Sequence, residues 1–173
     1  MIRSFTILGA VALAATTSTV FAQQPQAQQP PARGVDMALA LEAAQAAVST
    51  CLGQGVKGAA AVLDSAGVTR ILISADGASK NAAELSPKKG VAAIQMKKPT
   101  SEIQAETDKD PALKAKLEAD KSIFPRAGAI PIMVGNDLVG AIAFGGANGQ
   151  QGGGTHDEAC AKAGLDKIQA RVK

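Results

Sequence analysis

The sequence has very few aromatic residues: it contains four Phe, no Tyr and no Trp. Base-stacking platforms, sugar-binding platforms and tyrosyl-radical chemistry all depend on aromatic side chains that are missing here. Basic residues are also too dispersed for a nucleic-acid interface, since the formal net charge is only +3 at pH 7. We therefore expect no nucleic-acid partner.

The chain also lacks the short motifs that mark many common active sites. It contains no CxxC pair, no HxxxH pair, no Walker loop and no GxSxG nucleophile motif. The glycine-rich segment 145–154 has neither the spacing nor the following Lys of a phosphate cradle, so we interpret it as a flexible turn or lid. Because the chain has a single histidine, a zinc site would need thiolates or carboxylates beside it.

The N terminus has the form of a signal peptide. Arg3 precedes an apolar run over residues 5–15, and Ala22 ends a small-residue cleavage signal. A transmembrane anchor is the alternative interpretation, but the run is shorter than the ~20 residues that cross a bilayer. We therefore predict that residues 1–22 are a signal peptide.

Export would leave a mature chain with one folded domain. Residues 23–34 are rich in Gln and Pro and contain little that a core would bury, so we expect a disordered tether there. Residues 35–173 have the length of a single domain. We expect a periplasmic or secreted protein that makes no membrane contact once the leader has been removed.

Hydrophobic periodicity predicts an α+β fold. Apolar runs flank Ser65-Ala66-Gly67 and Gly135-Asn136-Asp137, which is the pattern of two β-hairpins. We expect an antiparallel sheet of about four strands from these hairpins, with the N- and C-terminal helices and intervening helices packed against it (α-β-β-α-α-β-β-α). The predicted elements are a helix at 36–52, strands at 58–64 and 68–75, a helix from the Ser86-Pro87 pair to Lys98, helical stretches at 101–108 and 111–121, strands at 129–134 and 138–146, and a last helix opened by a Thr155–Glu158 capping box.

Asp64 stands at the end of the first predicted strand, directly before the turn. A catalytic carboxylate is one interpretation of this residue. An Asp at a turn, however, usually accepts hydrogen bonds from nearby backbone amides. We favour that local role.

Motifs in the second half of the chain follow one another in a characteristic order. They are Ile130-Pro131-Ile132, Val139-Gly140-Ala141-Ile142, Phe144-Gly145-Gly146, Asp157-Glu158-Ala159-Cys160-Ala161 and Ala163-Gly164-Leu165. This order resembles the C-terminal half of the GlcG/HbpS-like family of haem-binding and haem-degrading proteins. Asp76-Gly77-Ala78 and Pro99-Thr100 also match that family, whereas Ala92 stands where its pattern has a threonine.

The resemblance implies a haem site. Haem needs cations for its propionates and a slot that is mainly apolar. The candidate cofactor-binding residues are Lys89, Met96, Thr100, Arg126, Gly128 and His156.

His156 is the candidate metal ligand, because one imidazole is sufficient to bind haem iron. The alternative is a first-turn helix residue that points into water. Met96 is another candidate axial ligand, with burial in the core as its alternative. For Lys89 and the neighbouring lysines, the alternative is an ordinary solvated helix face.

Three functions are compatible with the resemblance. The first is a secreted protein that binds haem or a related tetrapyrrole and sequesters it or passes it on. The second is an enzyme that degrades the bound haem and releases iron. The third is an oligomeric sensory or structural accessory protein without a cofactor. The family tends to self-associate, so we expect a homo-oligomer.

The two cysteines, Cys51 and Cys160, are candidates for a disulfide. An exported chain enters an oxidising compartment, where paired cysteines commonly become crosslinked. Cys51 shares an apolar helix face with Leu41, and Cys160 shares one with Gly164 and Ile168. If both helices cover the same side of the sheet, as the resemblance implies, the sulfurs would meet. Two separately buried thiols are the alternative.

Overall fold

The computed structural model of the protein describes residues 32–148 and 152–173. The predicted signal peptide and most of the predicted tether lie outside the described residues, as does the middle of the glycine-rich segment. Within those ranges no helix is both long and apolar enough to cross a membrane. The elements are α1 (Met37–Gly53), β1 (Ala59–Asp64), β2 (Thr69–Ser74), α2 (Lys80–Met96), α3 (Thr100–Thr107), α4 (Pro111–Ala119), β3 (Ala129–Val134), β4 (Asp137–Gly145), α5 (Gly153–Ile168) and a terminal 3-10 turn (Gln169–Arg171).

The four strands form one antiparallel sheet in the order β2-β1-β4-β3. Each hairpin pairs its own two strands, and β1 and β4 join the hairpins at the centre of the sheet. All six residues of β1 are buried, whereas β2 at the edge is mostly exposed. The predicted α+β class and the two hairpins are confirmed.

Helices cover both faces of the sheet. Alternate residues of a strand point to opposite faces. Ala60 and Val62 of β1 pack into the same cluster as residues of α1 and α5, whereas Ala61 and Leu63 pack into a cluster with residues of α2. The first and last helices therefore share one face of the sheet, as expected.

α1 approaches α5 through small residues. Leu41, which the sequence placed on the buried face, is 41% exposed. A Cβ added at Gly164 of α5 would collide with the carbonyl oxygen of Ala43, so the helices are too close to admit larger side chains at this crossing. The residues that α1 buries are Ala40, Ala43, Ala44, Ala47, Val48 and Cys51.

α2 begins earlier than predicted. Its N-cap is Ser79, whose Oγ accepts a hydrogen bond from the amide of Ala82 at 3.2 Å. Ser86 and Pro87, predicted to open the helix, lie inside it, and the Ser86 hydroxyl is buried and donates to the carbonyls of Ala82 and Ala59. The prediction was wrong because a Ser-Pro pair fits a helix start so well that it obscured the cap about two turns upstream.

Three helices separate the hairpins, one more than in the predicted order of elements, and they correspond to the three helical stretches predicted there. α3 and α4 are distinct because the chain turns between them. Asp110 caps α4, accepting hydrogen bonds at Oδ1 from the amides of Ala112 at 2.9 Å and Leu113 at 3.0 Å. Pro111 occupies the first helical position, where its missing N–H costs nothing.

The predicted capping box of the last helix is not formed. Gly152, with a left-handed backbone, is the N-cap, and the Thr155 hydroxyl donates to the Gly152 carbonyl at 2.8 Å. The Glu158 carboxylate accepts hydrogen bonds from Ser101 of α3 instead. The two glycines before Thr155 let the helix start earlier, which leaves Glu158 free to bind another element.

The hairpin turns are held by local and long-range hydrogen bonds. Asp64 Oδ1 accepts from the amides of Ala66 and Val68, both at 3.0 Å, which confirms its local role. Arg33, at the end of the predicted tether, reaches both turns: its amide donates to Ser65 at 2.9 Å, and its guanidinium lies 2.7 Å from Asp137.

Candidate functional site

A cavity of about 460 Å³ opens between α2, the chain leading into β3 and the start of α5. Ala82, Leu85, Phe124 and Ala127 supply apolar walls. The volume is in the range of ordinary small-molecule sites. The polar lining comes from Ser79, Asn81, Lys89, Gln104, Arg126, Asn148 and Asp157, and the rest from Gly145, Gly146, Ala147 and Gly154.

A second cavity of about 420 Å³ adjoins the first, because Leu85, Phe124 and Arg126 line both. Ile123 and Pro125 extend its apolar wall. Its charged lining is nearly balanced, with three cations and two carboxylates. These are Lys88, Lys121, Arg126, Glu118 and Asp120. We call the two cavities together the groove.

The floor of the first cavity contains a buried ion pair. Lys89 Nζ lies 2.6 Å from Asp157 Oδ2, and the two side chains are only 5% and 3% exposed. Lys89 also donates to the Phe144 carbonyl at 3.2 Å, and Asp157 accepts from the amide of Ala147 at 2.8 Å. Burial raises the pKa of Asp157 above its usual value, while the Lys89 ammonium acts in the opposite direction. The ammonium group of Lys89 therefore already has a carboxylate partner within the protein.

Gly128 makes room for this lysine. Its φ is +135°, and a Cβ added there would lie 2.5 Å from Lys89 Nζ and 2.7 Å from the Phe144 carbonyl oxygen. The Gly128 carbonyl also accepts from the Phe144 amide at 2.7 Å, continuing the pairing of the chain before β3 with β4. Any larger residue would displace the lysine or the strand.

Thr100 and Glu158 join α3, β3 and α5. The Thr100 hydroxyl is fully buried, accepts from the Ala129 amide at 2.8 Å and donates to the Ala129 carbonyl at 3.3 Å. Glu158 accepts from the amide of Ser101 at 2.9 Å and from its hydroxyl at 2.5 Å. A carboxylate at the N-terminus of α3 also interacts favourably with the helix dipole. These contacts fix the back of the site.

Arg126 lies at the mouth of the groove. Its side chain is 32% exposed and pairs with Glu118 at 3.1 Å and Asp108 at 3.5 Å. Both carboxylates belong to neighbouring helical segments, so the pairs fix the guanidinium over the shared wall. A ligand carboxylate would have to share or replace them.

His156 and the cysteines lie on the other side of α5, away from the groove. Cys51 and Cys160 form a disulfide with a Cα–Cα distance of 5.7 Å, within the range of normal disulfides. A ring nitrogen of His156 lies within 4.8 Å of both sulfurs.

Comparisons with known proteins agree with this architecture. A crystal structure of a double mutant of Streptomyces reticuli HbpS is 25% identical, with a TM-score of 0.71 over 89% of this chain and 99% of that one. Another crystal structure of HbpS is 27% identical, with a TM-score of 0.71 over 86% and 99% of the two chains. A PduOC–haem complex shares the fold, with 19% identity and a TM-score of 0.69 over 81% of this chain and 97% of that one.

A sequence profile described as "Haem degrading protein HbpS-like" matches residues 35–166. The chain belongs to the HbpS-like family. The curated proteins, by contrast, contain no match to it. The matched range includes every element from α1 to nearly the end of α5, so both the groove and the disulfide lie within the HbpS-like domain.

The HbpS-like domain brings only some of the candidate site residues together. Lys89 and Arg126 line the groove, and Gly128 lies directly behind Lys89. Thr100 is buried behind the site and lines neither cavity. Met96 is half-buried against a cluster that includes Ile103 and Ile123, and it lines neither cavity, as is also true of His156.

Several site residues escaped the sequence reasoning. Glu158 was assigned to a capping box and Asp157 received no role, yet they bind Ser101 and Lys89 respectively. The apolar walls were missed because single Leu and Phe residues carry no signal that separates a ligand site from a core. A hint was available in the two adjacent carboxylates just before the apolar residues of this helix, since buried carboxylates need partners.

Proposed function

We propose that this HbpS-like protein is exported and binds haem or a related tetrapyrrole in the groove. The observation that carries the proposal is the apolar wall of Leu85 and Phe124, shared by two adjoining cavities, with Lys88, Lys121 and Arg126 around one of them. A flat apolar macrocycle with carboxylate substituents matches such a lining. Haem in the PduOC complex, which has the same fold, supports the same ligand class.

In this proposal, the chain's own residues hold the macrocycle and its propionates. Lys88 and Lys121 are the cations for the propionates, because Lys89 is committed to Asp157. The described lining of both cavities contains no His, Cys or Met, which are common protein ligands of haem iron. Bound haem would supply the redox chemistry of its iron, and the groove would shield the macrocycle from water.

The test is a haem titration of the mature protein with a matched pair of variants. Leu85→Glu introduces a carboxylate into the shared wall and should weaken haem binding at least about tenfold, since it opposes both the macrocycle and the propionates. Leu41→Glu makes the same change on the exposed surface of α1 and should leave affinity unchanged. With no Tyr or Trp, near-ultraviolet absorption would report mainly the ligand.

Two results would contradict the proposal. If both variants bind haem with the same affinity as the wild type, the haem site does not lie in the groove. Haem binding no tighter than to an unrelated apolar protein would favour the cofactor-free accessory role. A His156→Ala variant should keep the Soret band of the wild type, and a shifted band would make His156 an iron ligand after all.

Haem degradation is the second candidate function, favoured by the description of the family. Incubation with haem and a reductant separates the two functions. A stable Soret band without released iron indicates binding alone, whereas loss of the band with iron release indicates degradation. Light scattering of the same samples tests the proposed homo-oligomer, and N-terminal sequencing of protein from a periplasmic or culture fraction tests export and cleavage after Ala22.

A further inference from the structure

The cluster beside the disulfide has a composition that the proposed haem function does not use. Both cysteine side chains are fully buried, and their sulfurs and a ring nitrogen of His156 lie within 4.8 Å of one another. Nε2 of His156 is buried and has no hydrogen-bond partner among the described residues. A buried polar atom without a partner is costly, so this nitrogen is the feature of the cluster that requires an explanation.

We propose that, once the disulfide is reduced, Cys51, Cys160 and His156 bind one Zn²⁺ ion. Two thiolates and one imidazole are among the preferred ligands of zinc, with a fourth position left for water. The only histidine of the chain thus lies next to its only two cysteines, although Cys51 is 109 residues from Cys160.

Ligation depends on the redox state because disulfide sulfurs carry no negative charge. A dithiol reductant transfers two electrons and two protons to the bond, giving two cysteine thiols and the cyclic disulfide of the reductant. Zn²⁺ then replaces the two thiol protons, which are released to solvent. The oxidised protein has no thiolate to offer and should not bind the ion.

The geometry requires only small movements. Ligand atoms around one tetrahedral Zn²⁺ lie roughly 3.5–3.8 Å apart, given bond lengths of about 2.0–2.3 Å. One of the two imidazole nitrogens is already within 4.8 Å of both sulfurs, and the helices hold the two Cα atoms 5.7 Å apart. Rotation of the cysteine side chains after reduction is enough to separate the sulfurs.

The test compares zinc binding by reduced and oxidised mature protein. Zn²⁺ is titrated without oxygen against a colorimetric chelator, after reduction with a phosphine, and Co²⁺ serves as a spectroscopic substitute. Reduced protein should bind one Zn²⁺ per chain and show thiolate-to-cobalt absorption, and oxidised protein should show neither. The band would report this cluster alone, because the chain has no other cysteine.

Two variants in α5 test the role of the imidazole. His156→Ala should weaken zinc binding at least about tenfold, since even the loss of a residue that only supports a ligand costs about 10–100-fold. Lys162→Ala, which changes an exposed residue of the same helix, should leave affinity unchanged. Equal affinity of both variants and the wild type would remove His156 from the site.

Two further outcomes would overturn the proposal. One is a reduced protein that binds Zn²⁺ no more tightly than the oxidised protein. The other applies if reduction lowers the helical circular dichroism signal of the protein. Zn²⁺ should then restore that signal, and a signal that stays low after Zn²⁺ is added would contradict the proposed site. Haem binding is independent of this result, because the cluster and the groove share no residues.

Discussion

The two faces of the sheet are held together by different interactions. On one face, α1 and α5 pack through alanines and glycine and are joined by the Cys51–Cys160 disulfide. On the other, α2 covers the sheet, and the Lys89–Asp157 ion pair beside the groove connects α2 to the N-terminal part of α5. A covalent bond tolerates changes around it, whereas a buried ion pair requires both partners in place. We therefore expect changes on the first face to alter stability alone, and changes on the second to alter both stability and ligand binding.

The largest expected effect is loss of the disulfide. In the chain-entropy model, a crosslink between residues 109 apart stabilises the protein by about 4–5 kcal/mol. The Cys51→Ala/Cys160→Ala variant should lose that free energy of unfolding, measured by urea denaturation. Reduced wild-type protein, assayed without metal, should behave like the variant. Equal stability of oxidised and reduced protein would show that the crosslink contributes nothing, and haem affinity should not change in either case.

The Lys89→Met substitution should cost about 3–4 kcal/mol, because it leaves the Asp157 carboxylate buried without its cation. Lys89→Met/Asp157→Leu should recover much of that loss, since no unpaired charge remains. Lys162→Met is the matched control, because it breaks an exposed pair with Asp166 and should cost less than about 1 kcal/mol. A double variant less stable than Lys89→Met would contradict this account. Both Lys89 variants should also alter haem binding, in contrast to the cysteine variant.

A smaller effect is expected for Gly128→Ala, which should cost about 2 kcal/mol. The added Cβ would be strained at a φ of +135° and would press on Lys89 Nζ. In the Lys89→Met/Asp157→Leu background, the contact with the ammonium is gone, and the cost should fall toward that of the backbone strain alone. Identical costs in the two backgrounds, from thermal or urea unfolding, would show that Gly128 serves only the backbone.

The hairpins could be predicted because their signals are local. Gly135 and Asn136 lie between the two apolar runs of the second hairpin, and Asp64 lies at the turn of the first. The pairing of neighbouring strands therefore follows from a few adjacent residues. The start of α2 was missed for the same reason, since Ser86-Pro87 is a good local start signal and only the tertiary structure selects Ser79. Local rules do not decide between two acceptable caps.

The site was harder to predict because its contacts are long-range. Lys89 is 68 residues from Asp157, and no periodicity in the chain connects them. The need for cations near haem propionates identified Lys89 and Arg126 as candidate site residues. It did not reveal that each of them already has a carboxylate partner in the protein. The disulfide was easier, because two cysteines allow only one intramolecular pairing.

The pairing of β1 with β4 has a consequence for how the chain reaches its native state. Each hairpin closes within a few residues, but the central pair aligns Asp64 with Gly140, more than half of the domain later. Closing such a large loop has an entropic cost before the contact is gained, so docking of the two hairpins should be the slow event of folding. Until the second hairpin has been synthesised, the inner edge of β1 has no strand to pair with. An emerging chain would present an open apolar strand, and a general chaperone that binds extended segments should protect it.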